Sequence, residues 1–181
     1  MATTDTGFTP RYDLGGNSTG IRRSYIIKNS ATITVGDMIQ ASTGFMALAG
    51  AGGRILGCVI GLEDANHLDL DNAQATTGTG TWTSSTKTFI AASDNQTVDQ
   101  VRAIVDVDPN TVYSGQPDAA IGTTTGSNLI GYYTDLPAAS DQPDENTAVT
   151  TTAQLFIWGT DPENTARGLY SIAEHQIYGD F

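Results

Sequence analysis

Residues Arg22–Leu62, RRSYIIKNSATITVGDMIQASTGFMALAGAGGRILGCVIGL, form a series of short apolar segments separated by glycine-containing turns. The last segment, Arg54–Leu62, is apolar almost throughout, which is typical of a strand buried on both faces. Its two glycines, Gly57 and Gly61, predict a β-bulge or a close approach by a neighbouring backbone. The run therefore predicts a sheet in which Arg54–Leu62 is the central strand.

The rest of the chain continues this pattern. Alternate positions from Val101 to Val107 are apolar, which predicts a strand with one buried face. The next residues, Asp108-Pro109-Asn110, form a turn signal. Strands with turns between them at this spacing predict a single all-β domain, either a sandwich or a barrel. Further strands are predicted at 24–28, 31–35, 38–41, 45–48, 82–91, 111–113, 128–136, 149–158 and 168–178, with one helical turn at 117–121 and an acidic loop at 137–146.

Composition supports the all-β class and limits the partners. The 181 residues include 27 threonines, which suit a half-exposed pleated surface. The net charge of −12 disfavours nucleic acid, whose phosphates need lysine and arginine. The charge is uneven, with +2 in residues 1–62 and −14 in residues 63–181. One interpretation is that the basic part faces an acidic partner, and the other is that the acids simply lie on loops.

The N-terminal residues 1–21 are threonine, glycine, asparagine and aspartate with little periodicity, so we predict an extended arm followed by a β-rich domain at 22–181. Such arms often become ordered only against a partner. No apolar stretch approaches the length of a membrane span, and no secretory signal is evident at the start. We therefore expect synthesis in a cytosol and no contact with membranes.

No residue pattern assembles a credible catalytic group. Residues 16–20 spell G-x-S-x-G around Ser18, but neither the preceding strand nor the following helix that this motif needs is predicted. His67 and His175 have no serine or cysteine at a recognisable spacing. Cys58, the single cysteine, lies in the apolar strand and is expected in the core. The sequence predicts no enzyme and no cofactor.

The segment Glu63–Asp71 is the one dense group of possible metal ligands. Asp69 and Asp71 would face one side of a strand, and hard oxygen ligands suit Ca²⁺. The glycine that an EF-hand loop needs at its sixth position is absent. We assign no metal here, since the alternative is a solvated acidic loop.

Aromatic residues offer either core or interface contacts. Phe181, at the end of the sequence, follows Gly179-Asp180 and would need a second chain to cover it, so Tyr178 and Phe181 are our candidates for oligomer contacts. Aromatic side chains are enriched in interfaces. The full set of candidates is Tyr132, Tyr133, Trp158, Tyr170, Tyr178 and Phe181.

Four motifs together resemble the small capsid decoration, or cement, proteins of tailed bacteriophages: ITVGDMIQ, RILGCVIGL, VDPNTVYSGQPDAAIG and LIGYYTDL. The resemblance covers roughly residues 22–178. It implies a β-barrel or β-tulip-like body, commonly a homotrimer, that sits on the outside of the virion and stabilises the shell by binding the major capsid protein. On this interpretation we expect capsid contacts from Arg11, Tyr12, Arg22 and Arg23.

Two alternatives of a different kind remain. A carbohydrate- or receptor-binding module would need exposed aromatic residues, with Ca²⁺ at Asp69 and Asp71 as an option. Another virion component, such as a head fibre base or a tail protein, would differ from a decoration protein only in its location.

Overall fold

The computed structural model describes residues 7–14, 20–71, 80–98, 100–118, 121, 129–137, 142–149, 153–176 and 179–180. Within these residues the chain is all-β, which confirms the predicted class, and every pair of strands is antiparallel. They include no helix long and apolar enough to cross a membrane. The strands are β1 Thr9–Asp13, β2 Arg22–Ile26, β3 Thr32–Thr34, β4 Met38–Ser42, β5 Phe45–Leu48, β6 Gly57–Glu63, β7 Gly80–Thr83, β8 Thr88–Ala91, β9 Arg102–Asp106, β10 Thr111–Gly115, β11 Tyr133–Asp135, β12 Asp144–Val149, β13 Leu155–Thr160, β14 Gly168–Ile172, β15 Glu174–His175 and β16 Gly179–Asp180.

Three sheets are stacked in layers, and β15 and β16 form a separate hairpin. The six-stranded sheet has the order β1-β10-β14-β13-β11-β12, the five-stranded sheet β2-β9-β6-β4-β5, and the three-stranded sheet β3-β8-β7. One hydrophobic cluster, including Tyr113 and Tyr170, lies between the six- and five-stranded sheets. The other, including Ile33 and Phe89, lies between the five- and three-stranded sheets. The five-stranded sheet is therefore the middle layer of a sandwich.

The central strand is β6, as the apolar run predicted. Cys58 contributes to one cluster and Val59 to the other, so both faces of the strand are buried. The register of β6 against β9 shifts between Val59 and Gly61, which is the predicted bulge. A Cβ built on Gly57 would lie 2.1 Å from the carbonyl oxygen of Asp106, which is the predicted close approach. Both glycines are thus explained by the packing of one strand.

The five-stranded sheet curls but does not close into a barrel. Its edge strands β2 and β5 approach at one bridge between Ile27 and Met46, where the Lys28 amide donates to the Met46 carbonyl at 2.9 Å. Across the described residues the arrangement is a sandwich, which is one of the two architectures that the strand spacing allowed.

The predicted N-terminal arm needs a correction over residues 7–14. The segment is extended, but it is packed. It forms β1, which pairs with β10 at the edge of the six-stranded sheet. Phe8 is 2% exposed and meets Tyr170 edge-on, with ring centroids 5.8 Å apart. Removing residues 1–20 would therefore take away a strand and a core side chain.

Other predicted strands are divided. The stretch 82–91 is a hairpin, because the polar residues between β7 and β8 form a turn in which the Lys87 amide donates to the Ser84 carbonyl. Predicted strand 168–178 breaks between β14 and β15, and the predicted acidic loop already enters β12 at Asp144. Residues 117, 118 and 121 of the predicted helical turn are not helical.

Candidate binding surface

Three of the four predicted contact residues line one open cleft of about 340 Å³. Arg11 and Tyr12 come from β1, and Arg22 comes from the start of β2. The cleft lies beside the edges of two sheets, because β1 and β2 are both edge strands. Arg23 does not line it, since the regular strand β2 points Arg22 and Arg23 to opposite faces. Arg11 and Tyr12 both line it because the register of β1 shifts between Pro10 and Tyr12. The sequence grouped four residues, and the fold brings three of them together.

Arg11 is tied into the body of the protein. Its Nη2 lies 2.8 Å from Oδ2 of Asp161, and its Nη1 lies 2.8 Å from Oε2 of Glu163. Burial of Asp161 would raise its pKa, but hydrogen bonds from the Ser114 side chain, the Glu163 amide and Arg11 outweigh this and lower it. The arginine therefore anchors β1 to the turn that follows β13, and it presents only part of its guanidinium to solvent.

A buried carboxylate, Asp106, forms part of the cleft wall below Arg22. Its oxygens accept hydrogen bonds from the Asp108 amide at 3.1 Å and from Thr111 Oγ1 at 3.2 Å. A Cβ on Gly20 would lie 2.8 Å from one of these oxygens, so glycine is what lets the chain pass over the carboxylate. Burial raises the pKa of Asp106, although both hydrogen bonds and Arg22 oppose the rise.

We expect the free energy of unfolding of Asp106→Asn to increase, relative to that of the wild type, as the pH rises. The folded protein holds the Asp106 proton more tightly than the unfolded chain does. The carboxylate is therefore unfavourable above its raised pKa, and this cost disappears below the ordinary pKa of an aspartate. Urea unfolding of both proteins from about pH 3 to about pH 7 measures the difference.

Thr111→Val provides the companion variant, because it removes a hydroxyl that stabilises the ionised form. We expect it to raise the pKa of Asp106 further and to widen the pH range in which stability falls. A difference between wild type and Asp106→Asn that stays constant over the whole series would contradict the assignment.

A row of mainly apolar side chains crosses the outer face of the six-stranded sheet. Directly paired residues of a sheet share a face. Their neighbours in sequence, such as Tyr113, Ile157 and Tyr170, point inward to the core, so this row lies on the opposite side. Following the register from β1 to β11, the row consists of Tyr12, Val112, Ser171, Phe156 and Tyr133.

The aromatic rings of this row pack against one another. Phe156 meets Tyr133 at a centroid distance of 5.2 Å and Trp158 at 5.0 Å, both in edge-to-face geometry. Trp158, two residues along the same strand and therefore on the same face, donates from Nε1 to Ser171 Oγ at 3.0 Å. Its side chain is nevertheless 41% exposed. The face thus presents fixed rings to solvent.

An open groove of about 270 Å³ borders the row. None of the described residues that line it is charged, although the chain carries 28 charged side chains. At one end is Leu14, which is 51% exposed. The lining consists of Leu14, Pro109, Asn110, Tyr133, Phe156 and Trp158, together with residues 171–173.

The acidic loop uses its carboxylates internally. Asp64 Oδ1 accepts hydrogen bonds from the Leu68 and Asn66 amides. These bonds lower the pKa of the Asp64 carboxyl group. Asp69 accepts from the Asp71 amide, and Asp71 pairs with Lys87. No group of three potential ligands suited to a metal occurs among the described residues. The described carboxylates of this loop therefore serve to hold the loop together.

The two described histidines lie in different environments and do not contact each other. His67 is exposed and its Nδ1 lies 2.8 Å from Glu63 Oε1, whereas His175 is fully buried beside Ile55. Burial lowers the pKa of His175 and so favours the neutral ring. Cys58 is buried as predicted, and burial raises the pKa of its thiol. The positions of His175 and Cys58 suit a packed core.

Several predicted residues lie outside the described part of the chain: Ser18 and the proposed oligomer contacts Tyr178 and Phe181. Of the other aromatic candidates, Tyr170 is core, whereas Tyr133 and Trp158 lie on the outer face. Phe156 was not among the contact residues predicted from the sequence. The signal was present, because Phe156, Trp158 and Thr160 alternate with buried residues along β13.

Comparisons with protein-family models, with curated proteins and with solved structures find no match for this chain.

Proposed function

We propose that this chain is a virion structural protein that binds the outer surface of a tailed-phage capsid and stabilises the shell. Two things support this proposal. One is the resemblance of four sequence motifs to capsid decoration proteins. The other, which carries most weight, is an uncharged aromatic face on a stiff three-layer body, next to a cleft lined by Arg22. Tryptophan, tyrosine and arginine are the residues that dominate protein–protein interfaces.

A decoration protein needs area and stiffness. It stabilises a shell by burying surface across neighbouring subunits, and many copies add their effects through avidity. A layered β body with fixed side chains loses little conformational entropy on binding. The acidic remainder of the chain, at −14 over residues 63–181, would limit adhesion to DNA and between particles.

The location, partner and assembly state are parts of the same proposal. We place the protein on the capsid exterior, after synthesis in the host cytoplasm, bound to the major capsid protein and assembled as a homotrimer. These points rest on the family resemblance.

Co-sedimentation tests the proposal directly. Purified protein is mixed with empty shells assembled from the major capsid protein of the same genome, and the pellet is analysed after ultracentrifugation. We expect saturable binding and a higher melting temperature for the decorated shells. Protein that stays in the supernatant at all concentrations would overturn the proposal.

A further inference from the structure

We propose that the outer face of the six-stranded sheet is the docking face, and that its occupant is an apolar segment of the shell protein. This inference rests on the proposed function and adds which side of the molecule meets the partner. The docking face is defined here as Tyr12, Leu14, Tyr133, Phe156 and Trp158.

The distribution of charge over the chain supports this docking face. The chain has 20 acidic residues, yet neither the aromatic row nor the described groove lining includes one. Charged residues are depleted at the centre of protein interfaces, and aromatic residues are enriched there. A face that is uncharged within so acidic a chain fits an apolar protein partner.

Two polar side chains of the groove, Ser171 and Asn110, are already engaged in hydrogen bonds within the protein. Ser171 Oγ accepts the Trp158 Nε1 hydrogen bond at 3.0 Å. The Asn110 side chain donates to Asp108 Oδ1 at 3.3 Å. A glycan needs convergent polar groups that fix its hydroxyls. Because these two lining groups are occupied, the groove suits aliphatic side chains better than a sugar.

The aromatic rings of the docking face are held in place before any partner binds. Phe156 is held between Tyr133 and Trp158, and Trp158 is held by Ser171. Rings fixed before binding cost less entropy when a partner covers them. Even so, Tyr12, at 47%, and Trp158, at 41%, remain well exposed, so each has area left to bury.

Tyr12 belongs both to the aromatic row and to the cleft that Arg22 lines, so the docking face borders that cleft. The described cleft lining holds two arginines and two aspartates, and Arg11 is already paired with Asp161 and Glu163. The rim therefore carries no excess of positive charge, and the uncharged aromatic area is what selects an apolar partner.

The test compares Trp158→Ala with Ile90→Ala in the same shell-binding assay. Ile90 is 49% exposed and lies in the three-stranded sheet, so it is a matched loss of exposed apolar area elsewhere. We expect Trp158→Ala to weaken binding by roughly thirtyfold, as a central aromatic contact would. Tyr12→Ala should also weaken binding, and Ile90→Ala should change nothing.

The outcomes separate the two proposals. Wild-type protein that does not bind shells overturns both. Wild-type protein that binds while Trp158→Ala and Tyr12→Ala bind equally well overturns the docking face alone.

Light scattering and a glycan array complete the test. A wild-type oligomer that Trp158→Ala dissociates would make a second copy the occupant, and a glycan bound by wild type and lost in Trp158→Ala would make a sugar the occupant. Either result overturns this inference.

Discussion

Gly57→Ala is expected to destabilise the fold by about 3 kcal/mol, whereas Gly61→Ala in the same strand is expected to be neutral or slightly stabilising. At Gly57 the new Cβ would lie 2.1 Å from the Asp106 carbonyl oxygen and 2.8 Å from Val105 Cγ1. The nearest obstacle is backbone, so β6 and β9 would have to move apart. Since β6 lies at the centre of the middle sheet, that movement would disturb both hydrophobic clusters.

At Gly61 the surroundings are open. The nearest atom to a built Cβ is Ile104 Cδ1 at 3.5 Å, which is ordinary van der Waals contact. Alanine also restricts the unfolded chain more than glycine does, and this favours folding by a few tenths of a kcal/mol or more. The two variants thus make the same chemical change in one strand with opposite expected results.

Urea unfolding at neutral pH, followed by fluorescence, gives the two free energies of unfolding. A Gly57→Ala variant as stable as the wild type would contradict the close contact between β6 and β9. Large losses at both positions would mean that the bulge at Gly61 also requires glycine.

The central strand was predictable because its signal is local. A strand buried on both faces must be apolar at successive positions, and Arg54–Leu62 is the clearest such run in the chain. The alternation of Val101, Ala103, Val105 and Val107 is similarly local, and all four side chains are fully buried on one face. Period and composition alone therefore located the middle layer.

The packing of β1 was not predictable in this way. Phe8 is a lone apolar residue among polar ones, so no periodicity marks it. Its place depends on partners far away in sequence, including Tyr170 and the Gly36 carbonyl, which accepts the Phe8 amide at 2.8 Å. A mostly polar strand at a sheet edge resembles a free arm in composition, and only the register against β10 distinguishes them.

For the candidate surface, the residue types could be predicted from the sequence, but their grouping on one face could not. Tyr12, Arg22, Tyr133 and Trp158 were each recognised as contact candidates from residue type. That Tyr12 shares a row with Phe156 follows only from the register of four strands, which come from distant parts of the sequence. The separation of Arg22 from Arg23 follows from the pleat once β2 is known to begin at Arg22.

Arg167→Met is expected to cost about 3 kcal/mol, because it leaves buried acceptors without their donor and each such group costs about 1–3 kcal/mol. Arg167 is 7% exposed. Its Nε donates to Ser114 Oγ at 3.0 Å, and its Nη2 donates to the carbonyl oxygens of Ser114 and Gly7. Ser114 in turn bonds Asp161, the carboxylate that Arg11 also pairs with. Methionine fills much of the volume but supplies none of these donors.

Lys87→Met is the matched control, because it removes a cation that pairs with Asp71 at the surface. Exposed pairs contribute little, so we expect a loss of about 1 kcal/mol or less. Urea unfolding of both variants measures the difference, and equal losses would show that the Arg167 network is dispensable.

A second measurement assigns the loss to the N-terminal segment. Arg167 joins β14 to Gly7, just before β1, so its removal should loosen β1 before it loosens the middle sheet. Native-state hydrogen exchange should then show lower protection for the amides of residues 8–14 than for those of β6 and β9. Protection that falls uniformly would mean that the network supports the whole sandwich. Selective loss at β1 would also predict weaker docking, because Tyr12 and Leu14 reach the outer face only while β1 stays paired with β10.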